Sequence, residues 1–212
     1  MPLDLYLLRH GETESSRMDT FCGDLDPPLT AEGAQMAQAF ADKYASLTWQ
    51  AIFVSPMQRT IATAQPFCQA TGLTMQLRDG LKEVSFGAWE DQTKPHVEAT
   101  YREDYMQWLT EPAWNPPTGG ETAVQVASRS ALVIAEIQEK YPQGNVLVVA
   151  HKSTLRIVLC NLLGIDLGRY RDRIHLPVAS VSLVRFDIYG PLLVKHGDRS
   201  HLPTDLEDRP GT

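Results

Sequence analysis

Cysteine is scarce in this chain. Cys22, Cys68 and Cys160 are three in 212 residues, an odd number in no paired motif, which argues against a disulfide scaffold and makes the cytoplasm the expected compartment. Long apolar runs are also missing. Stretches such as residues 146–150 fall far short of the roughly 18–20 residues that a bilayer-spanning helix needs, so no membrane partner is expected. Positive charge is short as well: Lys+Arg 19 against Asp+Glu 26 gives a net charge of -7, which argues against nucleic acid or an anionic membrane as the main partner while leaving room for a local basic site. Residues 1–9 place Asp4 before any basic residue, and their apolar run is too short for a signal-peptide core, so no export is expected. There is no internal repeat and no low-complexity segment.

What is present is globular composition, with hydrophobic residues at 43% and charged residues at 21%. Residues 1–212 are expected to form one domain, with 197–212 as a polar tail whose docking or fraying is left open. A homodimer is also left open. Residues 3–8 read as a short buried strand, apolar except for Asp4 and ended by Arg9-His10-Gly11-Glu12. Thr30 reads as an N-cap, followed by Ala34, Ala37, Phe40, Ala41 and Tyr44 at helical spacing. A strand at 51–54 leads through Ser55-Pro56 into a helix from about Gln58, which Pro66 is expected to kink or break. A short strand at 75–77, a loop through Glu83 and Gly87, and a polar, aromatic helical stretch around 95–109 follow. Residues 112–120 are a loop, 121–141 a helix, and 145–150 the clearest buried strand. Ser153 or Thr154 then caps a helix that Gly164 stops, and 180–187 with 192–195 close as a hairpin. This alternation predicts an α/β fold with a largely parallel sheet covered by helices on both faces, whose sites lie beyond the carboxyl ends of its strands.

Three predicted strand ends carry chemistry: Arg9-His10-Gly11, Ser55-Pro56-Met57-Gln58-Arg59 and His151-Lys152-Ser153. In a parallel sheet they converge on one edge, so two histidines and two arginines meet there. Arginine grips phosphate or carboxylate with a planar fork, and neutral imidazole is a nucleophile. His10, Glu12 and His151 could ligate zinc. The lack of HExxH or of any close His pair counts against that, as does the flanking cation of Arg9. Glu83 has Leu81, Val84, Phe86 and Trp89 nearby, apolar company that would let it keep a proton for donation. Lys82, Glu12 and Glu90 read as surface or supporting charges.

Together these blocks resemble a known family. Leu8-Arg9-His10-Gly11-Glu12-Thr13, Pro28-Leu29-Thr30-Ala31-Glu32-Gly33, Ser55-Pro56 with Arg59-Thr60 and Thr63-Ala64, Glu83 with Phe86-Gly87, and Ala150-His151 stand in the order of the histidine phosphatase (phosphoglycerate mutase-like) superfamily. The resemblance covers roughly residues 3–165. It implies that His10 becomes phosphohistidine, that Arg9, Arg59 and His151 hold the phosphoryl oxygens, and that Glu83 protonates the leaving oxygen, with no metal and no cofactor. Ser16 stands where the family often has Asn, and Lys152-Ser153 where it often has Gly-Gly or Gly-Asn. These departures point to the leaving-group side, where Ser16, Cys22, Gly23, Lys152 and Ser153 are expected to bind substrate.

Mutases of the family resemble one another in a longer basic insert, whereas residues 84–150 here hold only Lys94, Arg102, Arg129 and Lys140 against nine acids. That favours hydrolysis of a small phosphate monoester in a pocket with few spare cations. Among the phosphatases, residues 150–154 and 197–202 look most like the metal-independent phosphoserine phosphatases known from cyanobacteria and some other bacteria. In the tail, Leu202 offers an apolar anchor and His201 a polar tip, a combination able to dock over the pocket mouth, and His201 is counted with the substrate-binding residues on that basis. The alternatives are a cofactor-dependent phosphoglycerate mutase, an α-ribazole phosphatase, a broad sugar-phosphate phosphatase, and a silent module that binds a phosphorylated partner.

Overall fold

The computed structural model describes residues 2–209. Strand β1 (Leu3–Arg9) is followed by α1 (Glu14–Met18), α2 (Ala31–Tyr44), β2 (Trp49–Val54), α3 (Gln58–Thr71) and β3 (Met75–Leu77). Two single 3₁₀ turns lead to α4 (Lys94–Thr100), α5 (Arg102–Thr110), α6 (Ala123–Lys140), β4 (Gly144–Ala150) and α7 (Lys152–Leu163). Then come α8 (Tyr170–Arg173), β5 (Val181–Asp187), β6 (Gly190–Asp198) and α9 (Thr204–Glu207).

The six strands form one sheet in the order β3-β2-β4-β1-β5-β6. β1 to β4 are mutually parallel, β5 runs antiparallel to β1, and β6 antiparallel to β5. The near-continuous apolar runs of β1 and β4 follow from burial on both faces. Leu5 and Leu7 of β1 and Val146 and Val148 of β4 pack into the core on one side, with Val126, Ile134 and Ile137 of α6 and Leu155 and Val158 of α7. Leu8, Leu147 and Val149 face the opposite side, against Phe40 and Ala41 of α2 and Ala64 and Phe67 of α3. Leu5, Leu7 and Leu8 have no exposed surface, and truncating such a side chain to Ala costs about 2–5 kcal/mol.

Two expectations need correction, and the question left open about the tail has an answer. Pro66 does not break α3, which runs unbroken from Gln58 to Thr71. Its missing N–H frees only the carbonyl of solvent-exposed Ala62, while Ala64 and Phe67 hold the helix to the sheet. The stretch 95–109 is two helices, separated at Tyr101, whose φ of -120° and ψ of 41° leave the helical region. The polar tail is ordered as far as Arg209. It includes the end of β6 and all of α9, and Leu202 and Leu206 are buried against Met36, Val178 and Ala179. Leu202 stands in the turn before α9 and Leu206 within it, and together they supply the apolar anchor that average polarity conceals. Arg209 then pairs with Glu12 at 2.9 Å and Glu32 at 3.2 Å. Residues 210–212 of that tail lie outside the described residues.

Candidate active site

The parallel strands bring the three loaded ends together, and backbone bonds fix each one. His10 N–H donates to the carbonyl of Ala150 at 3.0 Å, Arg9 N–H to Ser180 at 3.1 Å, and the carbonyl of His10 accepts from Ala179 N–H at 3.1 Å. Gly11 N–H donates to Thr63 Oγ1 of α3 at 3.0 Å. A Cβ on Gly11 would lie 2.4 Å from the carbonyl oxygen of Gly33, and one on Gly33 would lie 2.1 Å from that of Glu12. The loop after β1 and the start of α2 therefore touch backbone to backbone, which only glycine permits.

Arg59, in the first turn of α3, is 1% exposed. Its Nη1 donates to Leu25 O at 2.6 Å, its Nη2 to Gly23 O at 3.2 Å, and its Nε to Nδ1 of His151 at 3.2 Å. Asp26 adds an ion pair at 3.3 Å. Because arginine can only donate, Nδ1 of His151 must accept, so its proton sits on Nε2 and is donated to Ser55 Oγ at 2.7 Å. The ring of His10 lies 5.3 Å from that of His151, centroid to centroid. Its Nδ1 is 2.7 Å from the carbonyl of Gly11. A carbonyl can only accept, so Nδ1 of His10 carries the proton and Nε2 keeps its lone pair. Burial first, and then the charge of Arg59, hold both imidazoles well below the ordinary histidine pKa. They are neutral at neutral pH.

Arg9 Nη1 donates to Leu176 O at 2.7 Å. Burial, reinforced by Arg156, pulls Arg9 down to about 9, which leaves it cationic at neutral pH. Glu83 is 7% exposed and meets donors as well as the expected apolar neighbours. Its Oε2 accepts from Ser153 N–H at 3.2 Å, and its Oε1 accepts from Val84 N–H at 2.9 Å, Thr154 N–H at 3.1 Å and Thr154 Oγ1 at 3.2 Å. Glu83 thus occupies the N-terminus of α7, where Ser153 or Thr154 was expected to cap. His151 is the N-cap by position and offers no side-chain cap.

These groups open onto a cavity of about 340 Å³, at the small end of ligand sites. Arg9, His10, Arg59 and Glu83 line it, as do Ser16, Cys22, Lys152 and Ser153. His151 lies behind them, fully buried and facing His10. Gly23 is not among the lining residues and acts through its carbonyl on Arg59. The placement of His201 at the mouth is overturned. Its ring packs on Phe40 at 5.7 Å and Tyr44 at 6.0 Å, on the α2 side of the sheet, because Leu202 anchors that segment there.

Phe21, Trp108, Arg156, Tyr170, Arg171 and His175 also line the cavity, and sequence reasoning passed over all of them. Arg156 had a signal available, since it falls one helical turn after Lys152 on a helix known to start at the site. Arg171 lies over the ring of Trp108 at 3.7 Å. The few spare cations expected from residues 84–150 are a miscount of place, because α7 and α8 supply Lys152, Arg156 and Arg171 from beyond that window. Among the described residues, no three His, Cys, Asp or Glu side chains gather so as to hold a metal ion. No helix among them is long and apolar enough to cross a membrane.

The histidine phosphatase superfamily (branch 1) matches residues 5–199. Phosphoserine phosphatase 1 of Hydrogenobacter thermophilus is 31% identical over 166 residues, covering 78% of this chain and 79% of its own. The adenosylcobalamin/alpha-ribazole phosphatase of Escherichia coli is 29% identical over 160 residues, covering 76% and 79%. A crystal structure of a phosphoserine phosphatase mutant from Entamoeba histolytica, in complex with phosphoserine, has the same fold. Its TM-score is 0.84 at 24% identity, over 95% of this chain and 100% of that one. With the family matched from β1 through β6 and the fold shared along nearly its whole length, this chain belongs to the histidine phosphatase superfamily.

Proposed function

We propose that the protein is a metal-independent phosphomonoesterase that works through a phosphohistidine on His10, with L-phosphoserine as its substrate and L-serine and phosphate as products. The observation that carries this reading is the state of His10: a buried neutral imidazole with Nδ1 engaged and Nε2 free, beside the cations Arg9 and Arg59. Phosphoryl transfer needs positioning and spread positive charge more than covalent help, and the two guanidiniums supply both. Nε2 of His10 forms a bond to phosphorus as the ester P–O bond breaks, and Glu83 gives its proton to the departing oxygen. In the second half, Glu83 takes a proton from water. The water oxygen bonds to phosphorus, the N–P bond breaks, and the enzyme returns to its starting state. The N–H groups of Ser153 and Thr154 hold the Glu83 carboxyl in one position for both halves.

Cys22, Ser16, Lys152 and Ser153 line the same cavity, and in this reading they contact the alcohol. The relatives named phosphoserine phosphatase support the choice of alcohol. The aromatic wall of Phe21, Phe86 and Trp108 favours a second reading, a larger apolar leaving group of the α-ribazole kind. The test is a panel of phosphoserine, 3-phosphoglycerate, α-ribazole phosphate and sugar phosphates ranked by kcat/KM in the presence of EDTA. Phosphoserine is expected first, and loss of all activity on chelation would overturn the metal-free mechanism.

A further inference from the structure

Two cations at the cavity form no ion pair among the described residues. Lys152 and Arg156 lie four residues apart on α7 and both line the cavity, a spacing that places them one turn apart on one face. Helical side chains lean toward the helix N-terminus, which here is the end at His151, so Arg156 reaches back toward the phosphoryl pocket. Its Nε is buried without a hydrogen-bond partner. Neither residue forms an ion pair or hydrogen bond among the described residues. The other outer cations are engaged: Lys94 pairs with Asp19, and Arg171 lies over Trp108. Lys152 and Arg156 also stand near the positive end of the α7 dipole, with no acidic residue in its first turn. Burial, together with Arg9 and Arg156, pulls Lys152 down to about 7. Desolvated, unpaired cations facing an open cavity are completed by an anionic ligand.

We propose that Lys152 and Arg156 form a carboxylate subsite on the wall of the cavity that also holds Arg9, His10 and Arg59, so that the substrate is a short phosphorylated carboxylic acid. The inference rests on the phosphomonoesterase reading above and names the chemical class that reading would take. A guanidinium fork matches a carboxylate in two parallel bonds. A second phosphate dianion would need more cations than the two left unpaired.

The test compares substrates that differ at this group: O-phosphoserine with O-phosphoethanolamine, and 3-phosphoglycerate with glycerol 3-phosphate. The wild-type kcat/KM is expected to favour the acid in both pairs by about 10- to 100-fold, the range for charge-assisted bonds. Arg156→Gln is expected to collapse each ratio, mainly through KM of the acid, and Arg156→Lys to restore part of it. Equal rates within both wild-type pairs would overturn the subsite whether or not the variants fold. An equal loss on both members in Arg156→Gln would overturn it as well, as would tighter binding of 2,3-bisphosphoglycerate than of 3-phosphoglycerate. Binding of the same pairs to His10→Ala protein gives the ratio without turnover, so a failure of the hydrolytic reading is seen separately. A preference for 3-phosphoglycerate over phosphoserine would overturn the named substrate and leave the subsite standing.

Discussion

Arg59 donates from Nε to Nδ1 of His151 while the carbonyls of Leu25 and Gly23 hold its other nitrogens. One guanidinium thereby sets a histidine tautomer and ties the loop before α2 to the site. Arg59→Lys keeps the charge and loses the fork. Turnover of nitrophenyl phosphate is expected to fall about 10²–10³-fold, as when one preorganised donor is removed. A lysine variant with wild-type turnover would show that charge alone suffices.

His10→Ala is expected to abolish turnover, because it removes the buried imidazole lone pair beside Arg9 and Arg59; His175, which also lines the cavity, is exposed at its rim. Wild-type enzyme quenched during turnover should carry an acid-labile phosphoryl group on His10. Finding that label on His151 would reverse the two roles. The bonding described above opposes this, since Nε2 of His151 carries a proton committed to Ser55.

Glu83→Gln is expected to lower kcat about 10²–10⁴-fold on phosphoserine, whose leaving alkoxide is basic, and far less on nitrophenyl phosphate. Glutamine keeps one acceptor for the N–H groups of α7, so the variant should fold. Equal losses on the two substrates would remove Glu83 from the acid role.

His201 gives a pH prediction for stability. Burial, only partly opposed by Asp198, holds its pKa down to about 4 against a usual 6.5. Below pH 6.5 the unfolded chain binds a proton that the folded form refuses, so stability is full above that pH and falls as pH drops toward 4. By pH 5 the loss is about 2 kcal/mol. Thermal melts of wild type and His201→Gln at pH 7.5 and pH 5 should show a smaller drop in the variant. Parallel drops would clear His201 of any part in acid sensitivity.

The C-terminal segment makes a structural prediction where sequence suggested one about specificity. Glu12 has no exposed surface, and its carboxylate is met by Arg209 and by Thr30 Oγ1 at 2.8 Å. Arg209→Ala should cost about 1–3 kcal/mol, less than breaking a fully buried pair because the arginine is 24% exposed. Its Tm should fall while kcat/KM for phosphoserine and nitrophenyl phosphate changes by one common factor. A selective loss on phosphoserine would return the tail to the substrate site.

The strands and the inner cluster were legible because their signals are local. Arg9-His10-Gly11 and His151-Lys152 follow apolar runs directly, and a parallel sheet leaves no choice about where such ends meet. The face at residues 164–179 carries no clean period. Its turn at Leu167–Arg169 and the four-residue α8 are too short to show one, although they deliver Tyr170, Arg171 and His175. Gly33 was visible only as part of a motif, because the reason for it is the backbone of Glu12, a long-range contact with no sequence pattern. The polar appearance of residues 197–209 misled because Leu202 and Leu206 are diluted among charged residues, and their burial depends on the partners Met36 and Val178.

β1 leaves the ribosome long before its two neighbours, β4 and β5, from residues 144–150 and 181–187. During synthesis the Leu3–Arg9 segment must wait, with both edges open and its leucines unshielded, until residues 181–187 have emerged. Pairings this distant in sequence close slowly, and an apolar strand with free edges invites association with other chains. Until β1 is seated between β4 and β5, Arg9 and His10 have no neighbours to align them, so the catalytic centre matures only at the close of folding.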